Sequence, residues 1–267
     1  MTASIPAVAI PRLNDGHLQL IRTGFNPTVD DVIEVRRILT ELRISNHTVP
    51  MEIALMILSF ASYHPCQSSI KRLKVEYEAD EFWKPGPEAS IAGLYLTAAT
   101  LSVPATTARP KSIIFQMKAA DQGWADNGGE GTYHNSHTWY EASILRPRSE
   151  ESTATALANT RMKNFPTPGE ARDHLRSHGW DVVESNGTIV WRVHNNITAC
   201  SRYRHYRVDW VAGIPTKVDD PRAMGDGQGF LELLGPGDVV VLWARAEEQA
   251  WMNKIREATI EIEYEVL

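Results

Sequence analysis

The stretch Ile113-Ile114-Phe115-Gln116-Met117, then Asp121-Gln122-Gly123-Trp124, then Gly131-Thr132-Tyr133-His134-Asn135-Ser136-His137-Thr138-Trp139-Tyr140-Glu141, running on to Ile144-Leu145, decides how this chain is read. Two apolar runs flank a crossing rich in Gly, Asn and Asp, the pattern of two strands joined by a long turn. Large aromatics and two histidines are costly in a solvated loop, so the crossing is expected to line something. The C-terminal stretch 238–267 is its natural partner, since it supplies Trp243, Arg245 and Trp251. The run Val239-Val240-Val241-Leu242-Trp243 is apolar on both faces, which fits a central strand. The last strand alternates, with Ile260, Ile262, Tyr264 and Val266 expected inward and Thr259, Glu261, Glu263 and Glu265 outward. A one-residue slip would expose all four apolar side chains, so its register is set.

The same period of two extends outward from this centre. Leu73, Val75 and Tyr77 alternate with charged residues, Leu94 and Leu96 do so again, and strand pattern returns at 188–194 and 203–211. Trp83-Lys84-Pro85-Gly86-Pro87 is a turn cluster. An insertion at 146–187 has a polar first half; its second half carries one short helix, with Thr167, Pro168 and Glu170 as a capping box and Gly179 as the stop. Residues 213–229 form an irregular loop; its Gly225-Asp226-Gly227-Gln228-Gly229 is glycine-rich but is expected to lead into a strand, so it is no phosphate cradle. Toward the N-terminus the period becomes helical. Thr28 caps a helix bearing Val32, Val35, Leu39 and Leu42, with Asp30 and Asp31 in its first turn. Pro50 opens a second helix whose core, 53–58, is apolar nearly all round, so cover on both sides is expected. These patterns predict a mainly β chain, a jelly roll or β-sandwich of about eight or nine strands. Its parts are an extended arm (1–27), a helix pair serving as brace or lid (28–66), and the sandwich (67–267) with the 146–187 insertion.

Composition narrows the function classes. A net charge of -6 without a basic block argues against a phosphate-backbone binder, so no nucleic acid is expected as partner. No run approaches the length of a membrane span, and the N-terminus lacks the basic start of a signal peptide. Two cysteines, Cys66 and Cys200, make no disulfide framework. A cytoplasmic protein is the expectation, and a homodimer is compatible with it.

No catalytic signature stands out. His134 and His137 on a strand would point to opposite faces, which argues against a metal. Cys66 follows a helix end, the wrong end for a thiolate, and Cys200 lies among polar residues. There is no nucleophile elbow and no dinucleotide fingerprint. What remains is aromatic and polar. Trp139, Trp191, Trp210 and Trp243 sit in strand patterns and serve either a core or a pocket; Trp124 and Trp251 sit in loops and are the better pocket candidates. Tyr133, His137, Arg192, His194, Arg204, Asp209 and Arg245 are the hydrogen-bonding groups available to such a pocket. Arg192 and Arg204 read first as a solvated strand face. Arg245 shares a face with Val239, Val241 and Trp243, so it is expected buried, with Asp121 or Glu141 as partner.

The segments Asp121-Gln122-Gly123-Trp124, Gly131-Thr132-Tyr133, Thr138-Trp139-Tyr140-Glu141-Ala142, Leu242-Trp243-Ala244-Arg245-Ala246 and Trp251-Met252-Asn253 resemble a group of largely uncharacterised fungal proteins. The segment from His194 to Trp210 and the helix pair ending Ile57-Leu58-Ser59-Phe60-Ala61-Ser62-Tyr63 are similar too, the latter looking like an F-box. This chain departs from the group at His137, where an aromatic is usual, and at Glu247-Glu248-Gln249-Ala250, where a Phe-Pro-Gly lead-in is usual. The resemblance implies a galactose-binding-like β-sandwich without an agreed activity. Natural-product pathways recruit cofactor-free cyclases from such folds. The expectation is therefore a cofactor-independent cyclase or isomerase of Diels–Alderase type acting on a small apolar molecule. His137, Tyr133 and Arg245 would be catalytic; Trp124, Trp139, Trp191, His194, Trp210, Trp243 and Trp251 would bind substrate in a hollow between the aromatic loops. A carbohydrate- or protein-binding module is the alternative.

Overall fold

Period-two alternation becomes two five-stranded antiparallel sheets facing each other across one core. The structure is a computed structural model describing residues 16–44, 47–80, 89–149, 151–152, 157 and 164–267. The turn cluster at 83–87, with Trp83, and most of the polar half of the insertion lie outside the described residues. In chain order the elements are α1 (Val29–Glu41), the short hairpin β1 (Arg43–Ile44) and β2 (His47–Thr48), α2 (Met51–Phe60), β3 (Cys66–Lys71), β4 (Val75–Glu78), β5 (Ser90–Ala99), β6 (Ala108–Ala120) and β7 (Thr138–Pro147). Then come α3 (Arg172–Ser177), β8 (Trp180–Val182), β9 (Trp191–Asn195), β10 (Arg204–Val211), α4 (Phe230–Leu233), β11 (Val239–Glu247) and β12 (Met252–Val266).

One sheet runs β10-β6-β12-β3, with β4 also on β12; the other runs β5-β11-β7-β8, with β9 also on β7. From β4 to β7, and again from β9 to β12, the chain changes sheet at every connection, so loops collect at the two ends of the sandwich. The strand pattern undercounted: 66–71 and 180–182 are strands although their sequences do not alternate. Inward faces of β6 (Ile113, Phe115, Met117), β7 (Tyr140, Ala142, Ile144), β11 (Val240, Leu242, Ala244) and β12 (Ile260, Ile262, Tyr264) form the core. A second cluster covers the outer face of the β11 sheet, where Leu157, Phe165, Ala171, Leu175 and Trp180 from the insertion meet Val239, Val241 and Trp243. Within it α3 begins at Arg172, later than the capping pattern suggests. Thr167 bonds the Glu170 amide in a preceding turn and the helix has no side-chain cap.

Of the outward face of β12, Glu263 and Glu265 are partly exposed, but the part from Glu257 to Glu261 is covered. Glu261 accepts the amides of Ile21 and Arg22 at 2.8 and 2.9 Å, and Glu257 accepts Leu18 N–H and meets His17. Residues 16–27 therefore lie across this face as a pinned strap, and Thr259, Glu257 and Glu261 are buried beneath it. Each carboxylate satisfies amides that would otherwise be left unpaired in an extended segment without a strand partner.

Thr28 caps α1 as expected, and Asp31 returns the bond to complete a capping box. Val32 and Leu58 reach the main core, and Arg36 bonds the Val266 carbonyl. The pair thus packs against the main core and reaches the end of β12 opposite Trp251. The expectation that α2 is covered on both sides fails: only Ala54 and Leu58 are buried, while Phe60 is 85% exposed.

Candidate functional site

The crossing after β6 is held by a buried carboxylate. Asp121 accepts N–H bonds from Gly123 (2.7 Å) and Ala199 (2.9 Å), and its own amide bonds the Cys200 carbonyl. Gly131 and Thr132 exchange backbone bonds with Thr198, whose hydroxyl donates to the His134 carbonyl. Burial pushes the Asp121 carboxyl up to about 6, with the amides pulling the other way. Asn253 ties the strands below: it donates to the carbonyls of Trp139 and Arg245 and accepts from Tyr140 (2.5 Å) and Asn196.

On this frame the two aromatic loops do converge. The rings of Trp251 and His137 are 4.6 Å apart and those of Trp251 and Trp124 are 6.1 Å apart. Trp251 is buried and Trp124 is 44% exposed, so the three tilted rings make a cluster that reaches the surface. The turn before Trp251 holds Glu248 and Ala250 at φ 71° and 67°, left-handed conformations that non-glycine residues adopt at a cost.

Arg245 is not poised for substrate. It is buried, donates to Glu141 at 2.8 Å and Glu247 at 3.2 Å, and bonds the Ile91 carbonyl. Of its two expected partners, Glu141 is the one found. Arg192, read as solvated, stacks over Trp139 at 4.2 Å and flanks Glu141 at 3.7 Å. Trp139 is thereby sandwiched below Arg192 and Arg245. Trp243 belongs to the second core and donates to Ser143, so it lines no pocket.

Tyr133 packs edge-on against His194 at 5.5 Å, and His194 against Tyr206 at 4.6 Å. His194 is fully buried and its Nδ1–H donates to the Asn195 carbonyl at 2.6 Å. Burial pulls its pKa down to about 4 and lifts the Tyr133 phenol to about 12, so both are neutral near pH 7. Burial also raises the Cys66 thiol to about 11, which removes it as a nucleophile. Among the described residues no three His, Cys, Asp or Glu side chains come together as a metal site requires.

A partly open cleft of about 450 Å³ is lined by Trp210 and Val211 of β10, by Ile214 and Pro215, and by Asp226, Gln228, Leu231 and Glu232 of the irregular loop and α4. Trp210 pairs with Ile113, in the half of β6 distant from Asp121, six residues along β10 from Arg204 and so roughly 20 Å from that end. Behind it Trp210, Phe230, Phe115 and Trp191 pack with centroids 5.1 to 6.4 Å apart, and Trp191 donates to the Gln228 carbonyl. This cleft is not the hollow expected between the aromatic loops, and Trp210 alone of the expected binding residues lines it. The glycine-rich run leads into the short α4, not a strand. Its glycines let it lie flat: side chains at 225 and 227 would strike the Arg192 carbonyl and the Trp210 indole. Ile214, Gln228, Leu231 and Glu232 went unrecognised because they follow no period. The one available signal was the length of a loop too long for a simple connection. No family model matches the chain, and no curated protein matches it.

Proposed function

We propose that this protein binds a small, largely apolar molecule in the Trp210–Leu231 cleft and catalyses its cyclisation or isomerisation without a cofactor. The observation that carries the reading is the cleft itself: about 450 Å³, within the range of small-molecule sites, with four apolar side chains beside an aromatic wall. In a [4+2] closure two carbon–carbon σ bonds form from two π bonds and no proton leaves, so the buried neutral histidine and the paired arginine are not required as acid or base. Confining diene and dienophile in a reactive pose lowers the barrier by several kcal/mol. The Gln228 amide, at the cleft wall, is the neutral donor suited to a dienophile carbonyl, a bond typically contributing ~2–4 kcal/mol at a developing charge. A terpenoid or polyketide precursor in the cytoplasm is the substrate class proposed, on a sandwich of galactose-binding-like type.

The test is product formation by the purified full chain from linear terpenoid and polyketide polyenes that carry a dienophile carbonyl. Ile214→Arg at the half-exposed cleft wall should abolish it and Gln228→Ala should slow it ten- to a hundredfold, whereas a Trp124→Ala/His137→Ala variant should leave it intact. Cyclisation untouched by Ile214→Arg but lost in the aromatic-loop variant would move the site back to the His137 cluster.

A second reading, a non-catalytic binding module, is favoured by two surfaces: the exposed Trp124 tip and the bare apolar side of α2, where Met51, Leu55, Met56 and Phe60 face outward. Glycan binding at Trp124, or a stable complex lost on Phe60→Asp, together with inert cleft variants, would decide for it.

A further inference from the structure

Resting on the cleft as the binding site, we infer that its ligand carries a positive charge: a protonated amine on a largely apolar skeleton. The lining contains two carboxylates, Asp226 and Glu232, and no Lys, Arg or His. The surrounding segments treat their charges differently. Arg207 is paired with Asp209 at 2.6 Å, Arg222 with Asp220 at 3.0 Å, and Lys217 with Asp219 at 3.5 Å. Each of these three basic groups is thus neutralised by an acid two residues away. Among the described residues Asp226 and Glu232 have no ion-pair partner; Asp226 accepts only the Gln228 amide through Oδ1.

Two uncompensated negative charges on one concave surface focus a field that raises the local concentration of cations and repels anions. A metal ion is a poorer fit, because the side chains of Val211, Ile214, Pro215 and Leu231 carry no oxygen and Gln228 adds a single amide oxygen to the two acids. An ammonium group on a hydrocarbon frame matches both halves: the frame covers the apolar wall and the charge faces the acids. Both carboxylates are exposed at the cleft wall, so the selection is salt-sensitive.

Three probes of one shape separate the contributions: 1-adamantylammonium, 1-adamantanol and adamantane-1-carboxylate, titrated calorimetrically into the full chain at low ionic strength. The ammonium should bind about tenfold tighter than the alcohol, and the carboxylate most weakly. In an Asp226→Asn/Glu232→Gln variant, which keeps the Oδ1 acceptor for Gln228, the ammonium should fall to within about twofold of the alcohol while the alcohol is unchanged. Ile214→Arg should abolish all three. Equal binding of the three probes, or an ammonium preference that survives the double variant, overturns the charge selection and leaves the cleft as a site. Failure of every probe to bind, or binding unaffected by Ile214→Arg, overturns the cleft reading and this inference together.

Discussion

Gly227 rests directly on the indole of Trp210, with its backbone at φ 70°, so that any side chain at 227 would enter the ring. This contact sets the shape of the cleft wall, and Gly229 offers the control. Gly229 has φ 78° but open space around its missing Cβ. Gly229→Ala should therefore cost about 1 kcal/mol, the left-handed penalty alone. Gly227→Ala adds overpacking and should cost about 2–4 kcal/mol while reshaping the cleft. Urea unfolding of the two variants checks this, and equal costs would show that the Trp210 contact imposes nothing.

Arg245 and Glu141 test structure against catalysis. Arg245→Met leaves a buried carboxylate with only the 3.7 Å contact to Arg192, and should destabilise by about 3 kcal/mol or more. Adding Glu141→Leu should restore much of that loss, since a buried pair replaced by apolar groups is often near neutral. A double-mutant cycle gives the coupling. Additive losses would mean that the two residues are not energetically a pair.

Asp121 links pH to the two crossing loops. Its folded pKa, about 6, lies above the ordinary 3.8, so the folded state holds the proton more tightly. The contribution is complete below pH 3.8 and is lost as pH rises through 6, by about 3 kcal/mol in all. Relative to an Asp121→Asn variant, the parent chain should therefore lose stability between pH 4 and 6 (the endpoints of that shift). A carboxyl carbon NMR titration with a midpoint below the ordinary value would refute this.

The strap across β12 depends on Glu261. Glu261→Gln replaces one acceptor oxygen by a donor facing an amide of Ile21 or Arg22, at a cost of about 1–3 kcal/mol. Amide hydrogen exchange should show those two positions losing protection while β6 keeps its own. Unchanged protection would mean that the strap is held mainly by Glu257, Arg22 and Asn26.

Local sequence determined the elements whose pattern is short-range. Thr28 with Asp31 starts α1, Gly179 ends α3, and Ile260 to Val266 face one side of β12, because capping, turn conformation and strand alternation each depend on neighbours within a few positions. The convergence of Trp124, His137 and Trp251 was also legible, since one crossing and one turn had to meet where β7 and β11 pair. What the tertiary structure alone decided is which faces are covered and where space is left. Alternation marks two sides of a strand without saying what lies on either, so the strap over Glu257 and Glu261 and the bare side of α2 could not be read from it. The cleft at Trp210 lies between a strand and a loop with no period, which glycines let approach the indole and carbonyl beneath them. Packing between residues far apart in the chain created it, and no local pattern encodes that distance.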